Sequence, residues 1–143
     1  MGQELILLWK SVDMTDTMLK RVLFVEDDPD IQTVARMALE AVGGFTVLGC
    51  SSGTEALERV EAFAPDLILL DVMMPGMDGL ETLRSLRLLP VAEAVPVVFM
   101  TAKVQAQEVS RYREAGAVDV IAKPFDPMTL PATVRTIWSR LQS

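Results

Sequence analysis

The sequence predicts an α/β fold in which helices cover both faces of a five-stranded parallel sheet. Two observations indicate this fold. From Arg21 onward, short runs rich in Leu or β-branched residues alternate with amphipathic stretches, which is typical of repeated strand–helix units. Half of the 143 residues are apolar, so the chain has the size and composition of one domain with one core.

The strands are predicted at five short runs of the sequence. Their ranges are Val22–Glu26, Thr46–Cys50, Leu67–Asp71, Val97–Thr101 and Asp119–Ala122. The first, third and fourth are apolar almost throughout, as expected for strands that are buried on both faces. The single cysteine, Cys50, has no partner for a disulfide within the chain and is predicted to be a small core residue.

Three helices are predicted between the first four strands, from apolar residues at helical spacing and from residues that stop a helix. The apolar stripe of the first helix consists of Ile31, Val34, Ala35, Ala38 and Leu39. This helix ends at Gly43-Gly44. The second runs from about Thr54 to Phe63 before Pro65, and the third from Gly79 to about Leu89 before Pro90.

Two more helices follow the fourth and fifth strands. The fourth helix, about Gln105 to Ala115, is the least apolar of the five, and its weak burial predicts mobility or a partner surface. The fifth begins after Asp126-Pro127, a cap followed by proline, and Pro131 still falls in its first turn. Its apolar stripe consists of Leu130, Val134, Ile137, Trp138 and Leu141.

Residues 1–18 fit none of these units, so the domain is predicted over residues 19–143. The first 18 residues are interpreted as a flexible extension, a docking element or a non-native start. Their apolar run, Leu5 to Trp9, is far shorter than the roughly 20 residues that span a bilayer. Glu4 stands where a signal peptide would be basic. The sequence therefore predicts a cytoplasmic protein with no membrane partner.

The charge balance restricts the possible partners and chemistry. The net charge is −7, and the 13 basic residues are scattered rather than gathered into a patch. Direct binding of nucleic acid is therefore not expected. The chain contains no histidine, which excludes Ser-His-Asp and Cys-His catalysis and histidine-ligated metal.

Reactive side chains stand where the predicted strands end. They are Asp27, Asp28, Asp71, Thr101 and Lys123. In open parallel sheets, ligands bind beyond the carboxyl ends of the strands. Two carboxylates about 5 Å apart repel by roughly 3 kcal/mol at an effective dielectric of 20, so cations are needed there. Lys123 and Mg²⁺, which accepts carboxylates and phosphate oxygens, would supply them. A carboxylate is also a nucleophile that forms aspartyl-phosphate.

Four motifs together resemble a response-regulator receiver domain. They are Val25-Glu26-Asp27-Asp28-Pro29, the segment Leu70 to Gly79, Met100-Thr101-Ala102 and Lys123-Pro124-Phe125. The resemblance covers about Leu19 to Leu141. It implies a flavodoxin-like sheet with the strand order 2-1-3-4-5, as in chemotaxis regulators.

The resemblance also implies a role for each site residue. Asp71 would accept a phosphoryl group from a histidine kinase or a histidine phosphotransfer protein. Asp27, Asp28, Asp71 and the backbone carbonyl of Met73 would hold Mg²⁺. Thr101 and Lys123 would contact the phosphoryl oxygens, and the Lys123-Pro124 peptide bond would be cis. Such a chain promotes its own phosphorylation and dephosphorylation and is not a turnover enzyme.

One position departs from this resemblance, and two others are positions that tune the lifetime of the phosphoryl group in receivers. Receivers carry an aromatic residue three positions before the lysine, where this chain has Val120, so activation is expected to travel through the loop after Thr101 and the fourth helix. The resemblance implies that Met73 and Lys103 flank the path of water to Asp71. The apolar Met73 orients water poorly, which predicts a long-lived phosphoryl group.

Several alternatives stay open. With no output domain in the sequence, the chain is expected to stand alone and to act on a protein through its fourth helix, fifth strand and fifth helix, or to dimerise there.

A receiver-like docking module that is not phosphorylated is the main alternative. An aspartate-dependent phosphatase would need a second Asp where Met73 stands. A flavodoxin-like cofactor site would place phosphate against Glu26, Asp27 and Asp28, which would repel it.

Overall fold

The five predicted strands form one parallel sheet in the computed structural model, which describes residues 18–143. The strands are β1 (Arg21–Val25), β2 (Thr46–Cys50), β3 (Leu67–Asp71), β4 (Val97–Thr101) and β5 (Asp119–Ala122). Their order across the sheet is β2-β1-β3-β4-β5. The predicted fold class and strand order are confirmed.

Five helices alternate with the strands. They are α1 (Pro29–Met37, continued by a π-helical turn over Ala38–Val42), α2 (Gly53–Phe63), α3 (Gly79–Leu86), α4 (Ala106–Glu114) and α5 (Leu130–Gln142). Side chains of Asp28, Ser52 and Asp78 accept hydrogen bonds from the first turns of α1, α2 and α3. These capping residues therefore specify where the three helices begin.

The sheet separates two apolar layers because successive side chains of a strand point to opposite faces. One layer packs β1, β3 and β4 against α2, α3 and α4, and includes Leu23, Ile68, Phe99, Leu83 and Tyr112. The other packs them against α1 and α5, and includes Phe24, Leu69, Met100, Leu39 and Val134. All residues of β3 and β4 are buried, as predicted for central strands. Cys50 is also buried, and burial raises the pKa of its thiol to about 11.

The strand register brings the functional positions to one edge of the sheet. Val25 lies opposite Leu70, the residue before Asp71. Asp71 lies opposite Met100, and Thr101 lies opposite Ala122, the residue before Lys123. The carboxyl ends of β1, β3, β4 and β5 therefore meet in one crevice.

The predicted start of the fifth helix is wrong. Helix α5 begins at Leu130, with Thr129 at its N-cap and Pro131 in its first turn. Asp126 Oδ1 instead accepts the N–H of Met128 at 2.9 Å. An aspartate that bonds the backbone two residues ahead forms a turn, which delays the helix.

The apolar stripes predicted for the first and fifth helices include residues that are not buried. Val34 on α1 and Leu141 on α5 are exposed, because the core contacts of these helices come from other positions of each stripe. The third helix also ends at Leu86, three residues before its predicted end at Leu89. Sequence patterns locate helix ends poorly where no cap specifies them.

The predicted extension lies outside the described residues, apart from Met18 at its end. Within residues 18–143, no helix is long and apolar enough to cross a membrane.

Candidate functional site

Asp71 lies at the centre of the crevice, at the last position of β3, with 3% of its surface exposed. The backbone N–H of Met73 donates to Asp71 Oδ1 at 3.1 Å, and the Nζ atom of Lys123 lies 3.3 Å from the same oxygen. A strand end and two donors thus fix the orientation of this carboxylate.

Glu26, the first residue after β1, is a site residue to which the sequence analysis assigned no role. It is 1% exposed, accepts the N–H of Asp28 on Oε2 at 3.1 Å, and pairs through Oε1 with Lys123. Burial, reinforced by the nearby Asp71, raises the pKa of Glu26 to about 7, although Lys123 and the Asp28 amide act in the opposite direction.

Three carboxylates gather beside Lys123. One oxygen each of Glu26, Asp27 and Asp71 lies within 4.8 Å of the others, and Asp27 is open to solvent. Oxygen atoms at this spacing match the donors that Mg²⁺ prefers, and one lysine does not neutralise three ionised carboxylates. The donor set therefore fits a divalent cation.

The acidic group contains Glu26 and does not contain Asp28, whose predicted role in binding Mg²⁺ stays a prediction. Asp28 Oδ1 accepts the N–H groups of Asp30 at 2.9 Å and Ile31 at 3.2 Å, so this carboxylate caps α1. The signal was available in the sequence, because Asp followed by Pro is typical of a helix start. Strand β1 ends one residue earlier than predicted, which places Glu26 at the crevice.

Lys123 follows β5, and its side chain is 17% exposed. Burial alone would lower its pKa, but the hydrogen bond to Glu26 and the charges of Asp71 and Glu26 outweigh burial and raise the pKa. The Lys123-Pro124 bond is cis, as predicted. The Lys123 N–H donates to the carbonyl of Thr101 at 2.9 Å. This bond ties the lysine to the end of β4.

Thr101 is fully buried at the end of β4. Its Oγ1 atom accepts the N–H of Lys103 at 3.1 Å, which ties the following loop to the crevice. Because the hydroxyl accepts this bond, its own proton is available to an acceptor in the crevice. The predicted contact of Thr101 with phosphoryl oxygens stays a prediction.

The loop after Asp71 combines an exposed and a closely packed residue. Met73 is 57% exposed, and the metal-binding role predicted for its carbonyl stays a prediction. Gly79 packs against the loop backbone: a Cβ atom there would lie 2.5 Å from the carbonyl oxygen of Asp71 and 2.7 Å from Val72 Cα. The Gly79 N–H donates to the carbonyl of Val72 at 2.9 Å. Gly79 is therefore a positioning residue for Asp71.

Val120 is half-buried on β5 and lies opposite Phe99. The nearby aromatic ring comes from α4: Tyr112 packs edge-on against Phe99 with ring centroids 5.4 Å apart. An aromatic contact between α4 and the central sheet is thus present without an aromatic residue at position 120.

An apolar groove adjoins the site beside Lys123. Its volume is about 250 Å³, and its walls include Ile31 and Val34 from α1 and Phe125 and Pro127 from the loop before α5. The groove therefore places apolar surface next to Lys123, the lysine that lies beside Asp71.

Comparison with known proteins agrees with this geometry. The family model "Response regulator receiver domain" matches residues 22–135. The DNA-binding response regulator MtrA of Mycobacterium tuberculosis is 42% identical over 120 residues, covering 84% of this chain and 51% of MtrA. The transcriptional regulatory protein CseB of Streptomyces coelicolor is 41% identical over 119 residues, covering 83% of this chain and 49% of CseB.

Solved structures show the same fold. The chemotaxis protein CheY4 of Vibrio cholerae has a TM-score of 0.78 at 28% identity, covering 84% of this chain and 99% of CheY4. A BeF3-activated DrrB receiver domain has a TM-score of 0.72 at 29% identity, covering 86% of this chain and all of that domain.

The expectation of no direct nucleic-acid contact is wrong in the light of these relatives. MtrA is named as a DNA-binding regulator, and this chain spans about half the length of the curated relatives that it matches. The net charge of −7 is that of this chain alone, so it was not a sufficient reason to exclude DNA binding. The expectation that the receiver stands alone stays a prediction.

Proposed function

Because the chain belongs to the response regulator receiver domains of two-component signalling, we propose that Asp71 accepts a phosphoryl group from a phosphohistidine protein. The observation that carries the proposal is the buried Asp71 carboxylate, which lies 3.3 Å from Lys123 and within 4.8 Å of two further carboxylates. In the transfer, an oxygen of Asp71 bonds to phosphorus as the phosphorus–nitrogen bond of phosphohistidine breaks.

The chain's own residues support this transfer. Lys123 holds Asp71 in place and offers an ammonium group to the phosphoryl oxygens, while the Thr101 hydroxyl offers a proton from the end of β4. Glu26 and Asp27, together with Asp71, are proposed to hold Mg²⁺. The ion would neutralise negative charge on the phosphoryl oxygens.

The apolar groove beside Lys123 supports a protein donor. Its walls come from α1 and the loop before α5, and it lies next to the proposed acceptor site. A donor helix that packs against Ile31 and Phe125 would therefore bring its phosphohistidine to Asp71. A small-molecule donor needs no such surface.

The output of phosphorylation is proposed to be transcriptional, because MtrA and CseB are named for DNA binding and transcriptional regulation. The chain is proposed to act in the cytoplasm and to promote its own phosphorylation rather than turn over a substrate. Replacing the chromosomal copy with the Asp71→Asn variant should change transcript levels of specific genes. Unchanged transcripts under inducing conditions would contradict a transcriptional output.

Intact-mass measurement tests the phosphorylation itself. Wild type incubated with acetyl phosphate and Mg²⁺ should gain one phosphoryl group, and Asp71→Asn should gain none. Removing Mg²⁺ with a chelator should also prevent the gain. Phosphorylation of Asp71→Asn at an equal level would contradict the assignment of the acceptor.

The half-buried Val120 favours one alternative function, a docking module whose binding does not depend on phosphorylation. The small side chain of valine cannot replace an aromatic ring that changes position on activation, so the aromatic switch residue expected of receivers is missing. If no donor adds a phosphoryl group to the wild type, this alternative replaces the proposed function.

A further inference from the structure

We propose that a cavity between the loop after β3 and helix α4 binds a small organic anion with an apolar body. The cavity has a volume of about 460 Å³ and is walled by Val72 to Pro75 on one side and by Lys103, Arg111 and Tyr112 on the other. Ligand pockets commonly have volumes of about 300–1,000 Å³. This site goes beyond phosphoryl transfer, because it does not include Asp71.

Part of the cavity lining is apolar. Met74, Leu80 and Tyr112 belong to the lining and are buried in the protein. An apolar ring or chain seated on these side chains would leave water, which favours binding in proportion to the apolar area covered. These three side chains therefore suit the apolar body of the ligand.

Two cationic side chains of the cavity can pair with the negative charge of the ligand. The side chains of Lys103 and Arg111 line the cavity and are exposed, and neither makes an ion pair or a side-chain hydrogen bond with any residue from 18 to 143. By contrast, exposed Arg36, Arg59 and Arg113 each pair with a carboxylate. The two cavity cations are thus available to an anion.

Two carboxylates also line the cavity and limit the charge of its ligand. Asp78 Oδ1 accepts the N–H of Glu81 at 2.8 Å, and Glu108 Oε1 accepts the N–H of Gln105 at 3.3 Å. Each carboxylate is bonded at the start of a helix, where the helix dipole offsets part of its charge. Because these carboxylates oppose the two cations, we expect the cavity to take a monoanion rather than a polyanion.

The cavity is physically connected to the phosphorylation site. Met73, in one wall, donates its N–H to Asp71, and Lys103, in the other, donates its N–H to Thr101. A ligand that holds these walls would alter the geometry around Asp71. By linkage, any change that the ligand makes in the free energy of phosphorylation must appear equally in its own affinity.

The test uses two matched probes, monoanionic 8-anilinonaphthalene-1-sulfonate and neutral N-phenyl-1-naphthylamine. The sulfonate should bind one saturable site, and the neutral compound should bind at least tenfold more weakly. The double variant Lys103→Gln/Arg111→Gln should lose at least tenfold in sulfonate affinity. Arg84→Gln is the control, because Arg84 is an exposed arginine outside the cavity, and it should leave affinity unchanged.

Amide chemical shifts identify the site. Sulfonate should shift Met74 and Tyr112, whereas shifts centred on Ile31 and Phe125 would place it in the groove beside Lys123 and overturn the proposal. Equal affinity of the two probes, or no loss in the double variant, would also overturn it. Circular dichroism and thermal midpoints verify that variants fold; if the double variant does not, each single variant tests the same point. Asp71→Asn should retain sulfonate binding, so this result is independent of phosphorylation.

Discussion

Glu26 and Lys123 form an ion pair across the carboxyl edge of the sheet although they lie 97 positions apart in the chain. The pair joins the end of β1 to the end of β5 and lies directly beside Asp71. Lys123 is therefore shared between Asp71, the proposed phosphoryl acceptor, and a second buried carboxylate, so the charge that Lys123 can offer at the site depends on Glu26.

The first prediction separates Glu26 from Asp28 as a contributor to Mg²⁺ binding. Glu26→Gln should weaken Mg²⁺ binding about tenfold or more, because it removes one carboxylate from the acidic group. Asp28→Ser removes a carboxylate but keeps an oxygen that can cap α1, so it should change affinity by less than about twofold. Isothermal titration calorimetry measures both, and the reverse order would support Asp28 as the ligand that the sequence predicts.

The second prediction concerns pH and stability without Mg²⁺. The folded state raises the pKa of Glu26 from 4.5 to about 7, so the folded protein holds a proton that the unfolded chain releases. The resulting stabilisation is full below pH 4.5 and is lost as pH rises through 7, by up to ~3 kcal/mol in the free energy of unfolding. The raised pKa of Lys123 contributes a constant amount over this range, because its change comes only above pH 10.

Urea unfolding of wild type and Glu26→Gln between pH 4.5 and 8 measures this effect. The stability of wild type relative to the variant should fall as pH rises. A difference that is constant or grows with pH would show that Glu26 is ionised throughout.

The third prediction concerns Gly79 as a positioning residue. Gly79→Ala puts a Cβ atom against the Asp71 carbonyl, so it should lower the free energy of unfolding by about 1–3 kcal/mol. It should also slow phosphorylation by acetyl phosphate about tenfold or more, because Asp71 is displaced.

Gly76→Ala is the matched control in the same loop. Gly76 has a φ of +72°, and apart from its chain neighbours no atom of residues 18–143 lies within 4 Å of its Cβ position, so this variant is strained locally without pushing on Asp71. It should lose about 1–2 kcal/mol of stability but phosphorylate at nearly the wild-type rate. Equal slowing in both variants would mean that lost stability, not displacement of Asp71, controls the rate.

The fourth prediction concerns the lifetime of the phosphoryl group. Exposed, apolar Met73 offers no polar atom beyond its backbone to orient water, so phosphorylated wild type should persist for minutes or longer in Mg²⁺. Met73→Asn should shorten the lifetime several-fold, because an amide side chain can orient an attacking water. Loss of phosphorylated mass with time measures it.

Met128→Asn provides the control for this substitution. Met128 is exposed and lies in the loop before α5. Its replacement should leave the lifetime unchanged. Hydrolysis of the phosphorylated wild type within seconds would contradict the role assigned to Met73.

Local patterns in the sequence were enough to predict the strands, most helix positions and the crevice. A continuous apolar run such as Leu67–Leu70 reports burial on both faces, and a polar residue directly after it must stand at the strand end. Asp71, Thr101 and Lys123 could be placed at one edge because parallel strands point their carboxyl ends the same way.

Tertiary structure alone decided which acidic residues share the site. Adjacent Glu26, Asp27 and Asp28 look equivalent in sequence, but where β1 ends and how α1 is capped direct one carboxylate inward, one toward solvent and one to the helix. The partner of Glu26, distant Lys123, is identified only by folding, because burial and ion pairing depend on residues brought together from separate strands. The sequence therefore determined which reactive side chains this protein has, and tertiary packing determined which of them lie together in the site.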